Sequence, residues 1–137
     1  MVVVHSSCGM ILLLKRVDME NFWQSVTGSL CWGEVAPAAA VRELREETGI
    51  DAGRRLVDWH HSVSFDIIDR FRPRYHPDTR KNIEHMFSIE IERDHPIACD
   101  PREHVAHAWK GFSEAMDLVW SWSNRDAIAA IAKRQRR

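Results

Sequence analysis

Cysteine is scarce in this chain, and the three present are scattered. Cys8, Cys31 and Cys99 are odd in number, and no two of them share a CxxC spacing. That argues against a disulfide framework or a zinc site and suits free thiols in a reducing compartment. Long apolar runs are missing as well, since no stretch approaches the ~20 residues that cross a bilayer. Val2, Val3 and Val4 make too short a core for a signal peptide and have no basic lead. Charge of one sign is not in excess: 19 Lys and Arg face 20 Asp and Glu, for a net charge of −1. That balance argues against a general nucleic-acid surface. There is no HExxH, so a zinc protease is excluded. No repeat, linker or low-complexity tract interrupts the 137 residues. These absences leave one domain over 1–137, cytoplasmic, with neither nucleic acid nor membrane as partner. Its 45% hydrophobic and 28% charged residues are ordinary for a globular enzyme of this length.

What is present is concentrated in residues 28–50, GSLCWGEVAPAAAVRELREETGI. After Pro37 the run consists almost wholly of strong helix formers. Pro37 suits a first helical turn, and Gly49 suits a C-terminal stop. Glu43, Glu46 and Glu47 stand at i, i+3 and i+4 and so share one face of the expected helix. At about 100° per residue, Pro37, Val41, Leu44 and Thr48 cluster roughly 130° away, and that side is expected to pack on a sheet. Three like charges on one stripe repel one another. A hard cation that prefers oxygen, Mg2+ or Mn2+, removes the repulsion. A solvated acidic helix face is the plain alternative.

Gly28, Glu34, Arg42, Glu43, Glu46, Glu47 and Gly49 fall in the spacing G-x5-E-x7-R-E-U-x-E-E-x-G-U, where U is apolar. Seven fixed letters match by chance about once in 10^8 windows, which sets coincidence aside. The pattern is the Nudix box, and the chain resembles the Nudix hydrolases. The resemblance implies an α/β/α sandwich with a mixed twisted sheet, and metal-assisted hydrolysis of a phosphoanhydride. Gly28 and Gly33 bracket a tight loop expected to need unusual backbone angles. Glu34 and Arg42 are expected to pair and tie that loop to the helix, as scaffold rather than chemistry. Cys31 and Trp32 stand where the family often has acidic or polar residues.

The flanking sequence reads as mixed α/β. Strands are expected over 2–5 and 10–15, joined by a turn at 6–9, then over 23–27, over 55–68 with a bulge, and over 105–112. Phe87, Ile89 and Ile91 alternate with Ser88, Glu90 and Glu92, as in a half-buried strand. A final helix is expected to open at Ser123 with a capping-box pattern and to bury Ile128 and Ile131. Lys133, Arg134, Arg136 and Arg137 either complement its dipole or form a basic tail for a polyanion.

A second set of strings narrows the resemblance. FWQSVTGS at 22–29, RYHP at 74–77, Glu103-His104, Trp109-Lys110 and SWSNR at 121–125 run over almost the whole chain. Together they resemble the Nudix branch that removes pyrophosphate from dihydroneopterin triphosphate in folate biosynthesis, once described as acting on dATP. That resemblance implies Glu43, Glu47 and Glu103 as metal ligands. It implies Glu46 as a ligand through water or a base, with Glu103 the other candidate base. Arg16, Thr27 and Ser121 match substrate-contact positions. The branch has further residues ahead of its first strand, one of them basic and near the substrate. Here the strand begins at Val2, so either the start lies upstream or that contact is absent.

Segment 70–81, RFRPRYHPDTRK, has five cations against one acid and two prolines, and so reads as a loop. Arginine forks suit phosphate oxygens, which makes Arg74 and its neighbour Tyr75 candidates to flank the triphosphate. A solvated basic loop is the alternative. Trp23, Trp109 and Trp122 are candidates for a surface that stacks on a flat pterin or purine, or for core. His104 and His107 are three apart, which on a strand places them on opposite faces, so they form no pair. The expected substrate is a pterin triphosphate. A nucleotide-sanitising pyrophosphohydrolase acting on dATP or related dNTPs would differ only in its ring pocket. A binding module without catalysis would have lost box carboxylates, and all are present.

Overall fold

Two runs of apolar residues, Val2 to Val4 and Ile11 to Leu14, are buried on both sides, as central strands require. The structure, a computed structural model, describes residues 1–66 and 81–136. In chain order it contains β1 (Val2–His5), β2 (Met10–Arg16), β3 (Trp23–Gln24), α1 (Ala36–Thr48), β4 (Val57–Asp66) and β5 (Lys81–Glu90). These are followed by β6 (His104–Gly111), α2 (Phe112–Leu118) and α3 (Trp122–Gln135). The strands form one mixed sheet in the order β3-β2-β1-β5-β4, with β6 on β2. β1 runs parallel to β5, and the other pairings are antiparallel.

Each face of the sheet has its own core. Ala40 and Leu44 of α1 pack with Val2, Val4, Leu12, Leu14, Phe87 and Ile89. Ala115 of α2, with Ala127, Ile128 and Ile131 of α3, packs with Val3, Ile11, Leu13 and Met86 on the other face. Burying each Leu or Ile side chain contributes about 1.5–3 kcal/mol. Helices on both faces make this the expected α/β/α sandwich. Among the described residues no helix is long and apolar enough to cross a membrane.

Several elements differ from the sequence expectation. The strand expected over 23–27 is two residues long, with Val26 held to Val2 by an isolated bridge. β4 starts at Val57 rather than at 55; the bulge expected in it is present, where its register with β5 shifts between Asp58 and Ser62 around His60, whose φ is 50°. Lys81 belongs to β5 rather than to a loop, and that strand is longer than its alternating segment. Ser88 is buried, not solvent-facing, because its Oγ accepts the indole N–H of Trp59 at 2.8 Å. Phe112 opens a short helix, α2, that the sequence pattern did not suggest. α3 starts two residues earlier than expected: Ser121, not Ser123, is its N-cap and accepts the N–H of Asn124.

Candidate active site

The loop between β3 and α1 brings the box together, and Arg42 is its clamp. Its Nε and Nη2 donate to the two Glu34 oxygens at 2.9 Å each, and Nη2 also donates to the Ser29 carbonyl at 2.9 Å. Cys31 N–H donates to Glu34 as well, at 3.0 Å. These bonds, those from Arg42 foremost, hold the Glu34 carboxyl well below the usual carboxylate range. The two loop glycines serve different needs. Gly33 has φ +77°, a left-handed backbone open to glycine. Gly28 needs no such angle; a Cβ there would overlap the Glu43 carboxyl group. Gly49 ends α1 at φ 76°, its N–H donating to the Arg45 carbonyl.

The repulsion expected along α1 is divided unevenly. Arg42 Nη1 donates to Glu43 at 2.7 Å and to Glu46 at 3.2 Å, which compensates those two carboxylates. Glu47 has no such partner among the described residues and is 3% exposed. Its Oε2 accepts the Thr27 N–H at 3.3 Å. Burial, then the charges of Glu43 and Glu103, push its carboxyl up to about 9. Glu43 is raised too, chiefly by burial. The buried side of α1 is therefore Ala39, Ala40, Leu44, Glu47 and Thr48. Pro37 and Val41, expected on the packed side, are exposed.

Glu103 reaches Glu47 from the start of β6, where its carbonyl accepts the Val17 N–H at 2.9 Å. Oxygens of Glu47 and Glu103 and a ring nitrogen of His104 lie within 4.8 Å of one another. His104 is 3% exposed, with Nε2 at 3.2 Å from the Gln24 amide nitrogen. Its Nδ1 is buried and has no hydrogen-bond partner among the described residues. Burial lowers its pKa and favours the neutral ring. A buried carboxyl, an exposed carboxylate beside it and a neutral imidazole nitrogen fit a divalent cation. The group stands in a cleft of about 1240 Å³ that Glu43, Glu47 and Glu103 line. Glu46 stands outside the cleft lining, with its side chain 55% exposed.

The NUDIX domain model matches residues 1–131. The chain belongs to the NUDIX family. It is 41% identical over 121 residues to the dihydroneopterin triphosphate diphosphatase of Escherichia coli (strain K12), covering 86% of this chain and 79% of that protein. The enzyme of the same description from Haemophilus influenzae is 33% identical over 131 residues, 93% of this chain and 81% of that protein. The solved E. coli dihydroneopterin triphosphate pyrophosphohydrolase superposes with a TM-score of 0.87 at 39% identity, covering 94% of this chain and 90% of that one.

In this Nudix domain Arg16, Thr27 and Ser121 all line the cleft. Arg16 is held by Asp18 in a two-bond fork at 2.8 and 2.7 Å, over the Phe22 ring. Ser121 caps α3 and bonds the Ser123 hydroxyl at 2.7 Å. Arg74 and Tyr75 lie outside the described residues, as does most of the basic segment. Trp122 lines the cleft, whereas Trp23 and Trp109 pack against the cores. Trp32 and Trp120 also line it and carried no expectation. Trp32, in the box position noted for its departure, is fully exposed. The strings FWQSVTGS and SWSNR meet: Asn124 accepts the Ser25 N–H at 2.9 Å and donates to its hydroxyl at 2.8 Å. His104 was the functional candidate missed, and its place directly after Glu103 was the available signal.

Proposed function

We propose that this chain hydrolyses dihydroneopterin triphosphate to the monophosphate and pyrophosphate, using Mg2+, with Mn2+ able to replace it. The observation that carries this reading is the buried Glu47, with Glu103 and His104 around it, in a cleft wide enough for a triphosphate and a bicyclic ring. The similarity to enzymes of that description over most of the chain supports the substrate. When bound, a divalent cation neutralises charge developing on the phosphate chain and acidifies the attacking water. Glu43, Glu47 and Glu103 would hold it, and a cleft carboxylate would accept the proton of the water. Glu103 suits that role better than Glu46, because it faces the cleft and Glu46 is turned to solvent and Arg42. Thr27 positions Glu47 through its backbone N–H. Arg16 and Ser121, with Arg74 and Tyr75 from the basic segment, contact the substrate. The free thiols of Cys8, Cys31 and Cys99 suit a reducing compartment such as the cytoplasm.

Product analysis tests the reaction. Purified protein with dihydroneopterin triphosphate and Mg2+ is expected to release one pyrophosphate per monophosphate. Stepwise release of orthophosphate would contradict a pyrophosphohydrolase.

A further inference from the structure

We propose that Glu84 selects the ring of the substrate: its carboxylate accepts the paired N–H donors of a 2-amino-4-oxopyrimidine edge. Pterin and guanine share that edge, and adenine lacks it. The assignment deepens the pyrophosphohydrolase activity proposed above and rests on it.

Glu84 lies on β5 opposite Val63 of β4. It lines the same cleft as Glu43, Glu47 and Trp122, but it belongs to neither the box nor the cluster around Glu47. Its Oε1 is buried and has no hydrogen-bond partner among the described residues. The nearby Met1 ammonium donates instead to the His85 carbonyl at 2.9 Å. A buried acceptor without a donor costs free energy until one arrives.

A carboxylate can accept two parallel N–H bonds, as it does from an arginine fork. The N3–H and 2-amino group of a pterin present two donors side by side in the same way. Adenine presents a ring-nitrogen acceptor beside its amino group, so a lone pair would face the carboxylate. A site built to receive a hydrogen bond discriminates strongly against an analogue that cannot make it. Trp122, 51% exposed on the same wall, offers a face on which such a ring can stack. The phosphates are handled by other residues, so loss of Glu84 shifts ring choice more than the rate of bond cleavage.

The test measures kcat and KM for dihydroneopterin triphosphate, dGTP, dITP and dATP with wild type, Glu84→Gln and Glu84→Asp. dITP differs from dGTP only by the missing 2-amino group. Wild type is expected to bind dGTP more tightly than dITP. Glu84→Gln should raise KM for the pterin and for dGTP roughly 10- to 100-fold, the range of a lost hydrogen bond to a charged group. It should change kcat less and affect dATP least, and Glu84→Asp should recover part of the preference. A second arm needs no turnover: quenching of tryptophan fluorescence by dihydroneopterin in excess chelator, expected to weaken in Glu84→Gln.

An unchanged pterin-to-dATP ratio in Glu84→Gln, or equal treatment of dGTP and dITP by wild type, would overturn the role of Glu84 and leave the pyrophosphohydrolase standing. Absence of pyrophosphate release from any substrate would overturn that activity. The fluorescence arm then decides Glu84 separately: binding lost in Glu84→Gln supports it, and binding retained overturns it.

Discussion

The two ends of the cleft are built differently. At the phosphate end, Arg42 clamps Glu34, Glu43, Glu46 and the Ser29 carbonyl, and Gly28 leaves Glu43 the space it occupies. At the end proposed for the ring, Trp120 and Trp122 are exposed at 43% and 51%, outside the contiguous box. Cleavage of a phosphoanhydride needs the same charges in the same places whatever the ring, so a contiguous, heavily bonded motif can supply it. Ring choice needs surface left open for a ligand, and such surface cannot be satisfied within the protein. The first end should fail abruptly when altered, and the second by degrees.

Metal removal should have the largest effect. Excess chelator is expected to abolish turnover while circular dichroism stays native; full activity in chelator would remove the difference between the ends. Glu47→Gln and Glu103→Gln should each lower turnover at least about a hundredfold, because a misplaced cation loses charge stabilisation and nucleophile together. Wild-type turnover in Glu103→Gln would reduce that residue to a surface turn. Gly28→Ala should cost roughly ten- to a hundredfold by displacing Glu43, with the protein still folded, since a shift of about 1 Å at a reacting group has that scale. At the ring end the changes should be smaller and selective. Ser121→Ala and Trp122→Ala should reduce the preference for pterin over purine more than the general rate of cleavage. Ser121→Ala should also lower stability by about 1 kcal/mol through the lost helix cap, readable in thermal melts.

A subtler effect separates the ends by pH. Glu47 titrates at about 9 in the metal-free fold, against about 4.3 in an unfolded chain. Between those values the unfolded state releases a proton that the fold retains. The stability that the protonated group confers is therefore full below about pH 4.3 and is lost as pH rises toward 9. Melting temperature in chelator should fall over that window, and Glu47→Gln should flatten the fall. An unchanged slope in the variant would assign the effect to other groups.

Much of the phosphate end was legible because its determinants are adjacent in sequence. The helix and its stop at Gly49 follow from spacing and propensity, and the partnership of Glu34 with Arg42 from the resemblance to the Nudix box. The packed side of α1 was misjudged because Ala39 and Ala40 carry little apolar signal and a glutamate reads as outward-facing. Burial of Glu47 makes sense only once Thr27 and Glu103 stand beside it. His104 was set aside because alternation was weighed against His107 rather than against its neighbour Glu103. Ser88 and Ser121 are polar residues whose roles depend on a partner, Trp59 in one case and a helix start in the other. At the ring end, no periodicity distinguishes an exposed Trp120 from a buried tryptophan.

The most direct test is a side-by-side measurement of kcat/KM for dihydroneopterin triphosphate and dATP, in the same buffer with saturating Mg2+. The account predicts a higher value for the pterin, with pyrophosphate as the inorganic product from it. An equal or higher value for dATP would contradict it and make the chain a nucleotide-sanitising enzyme.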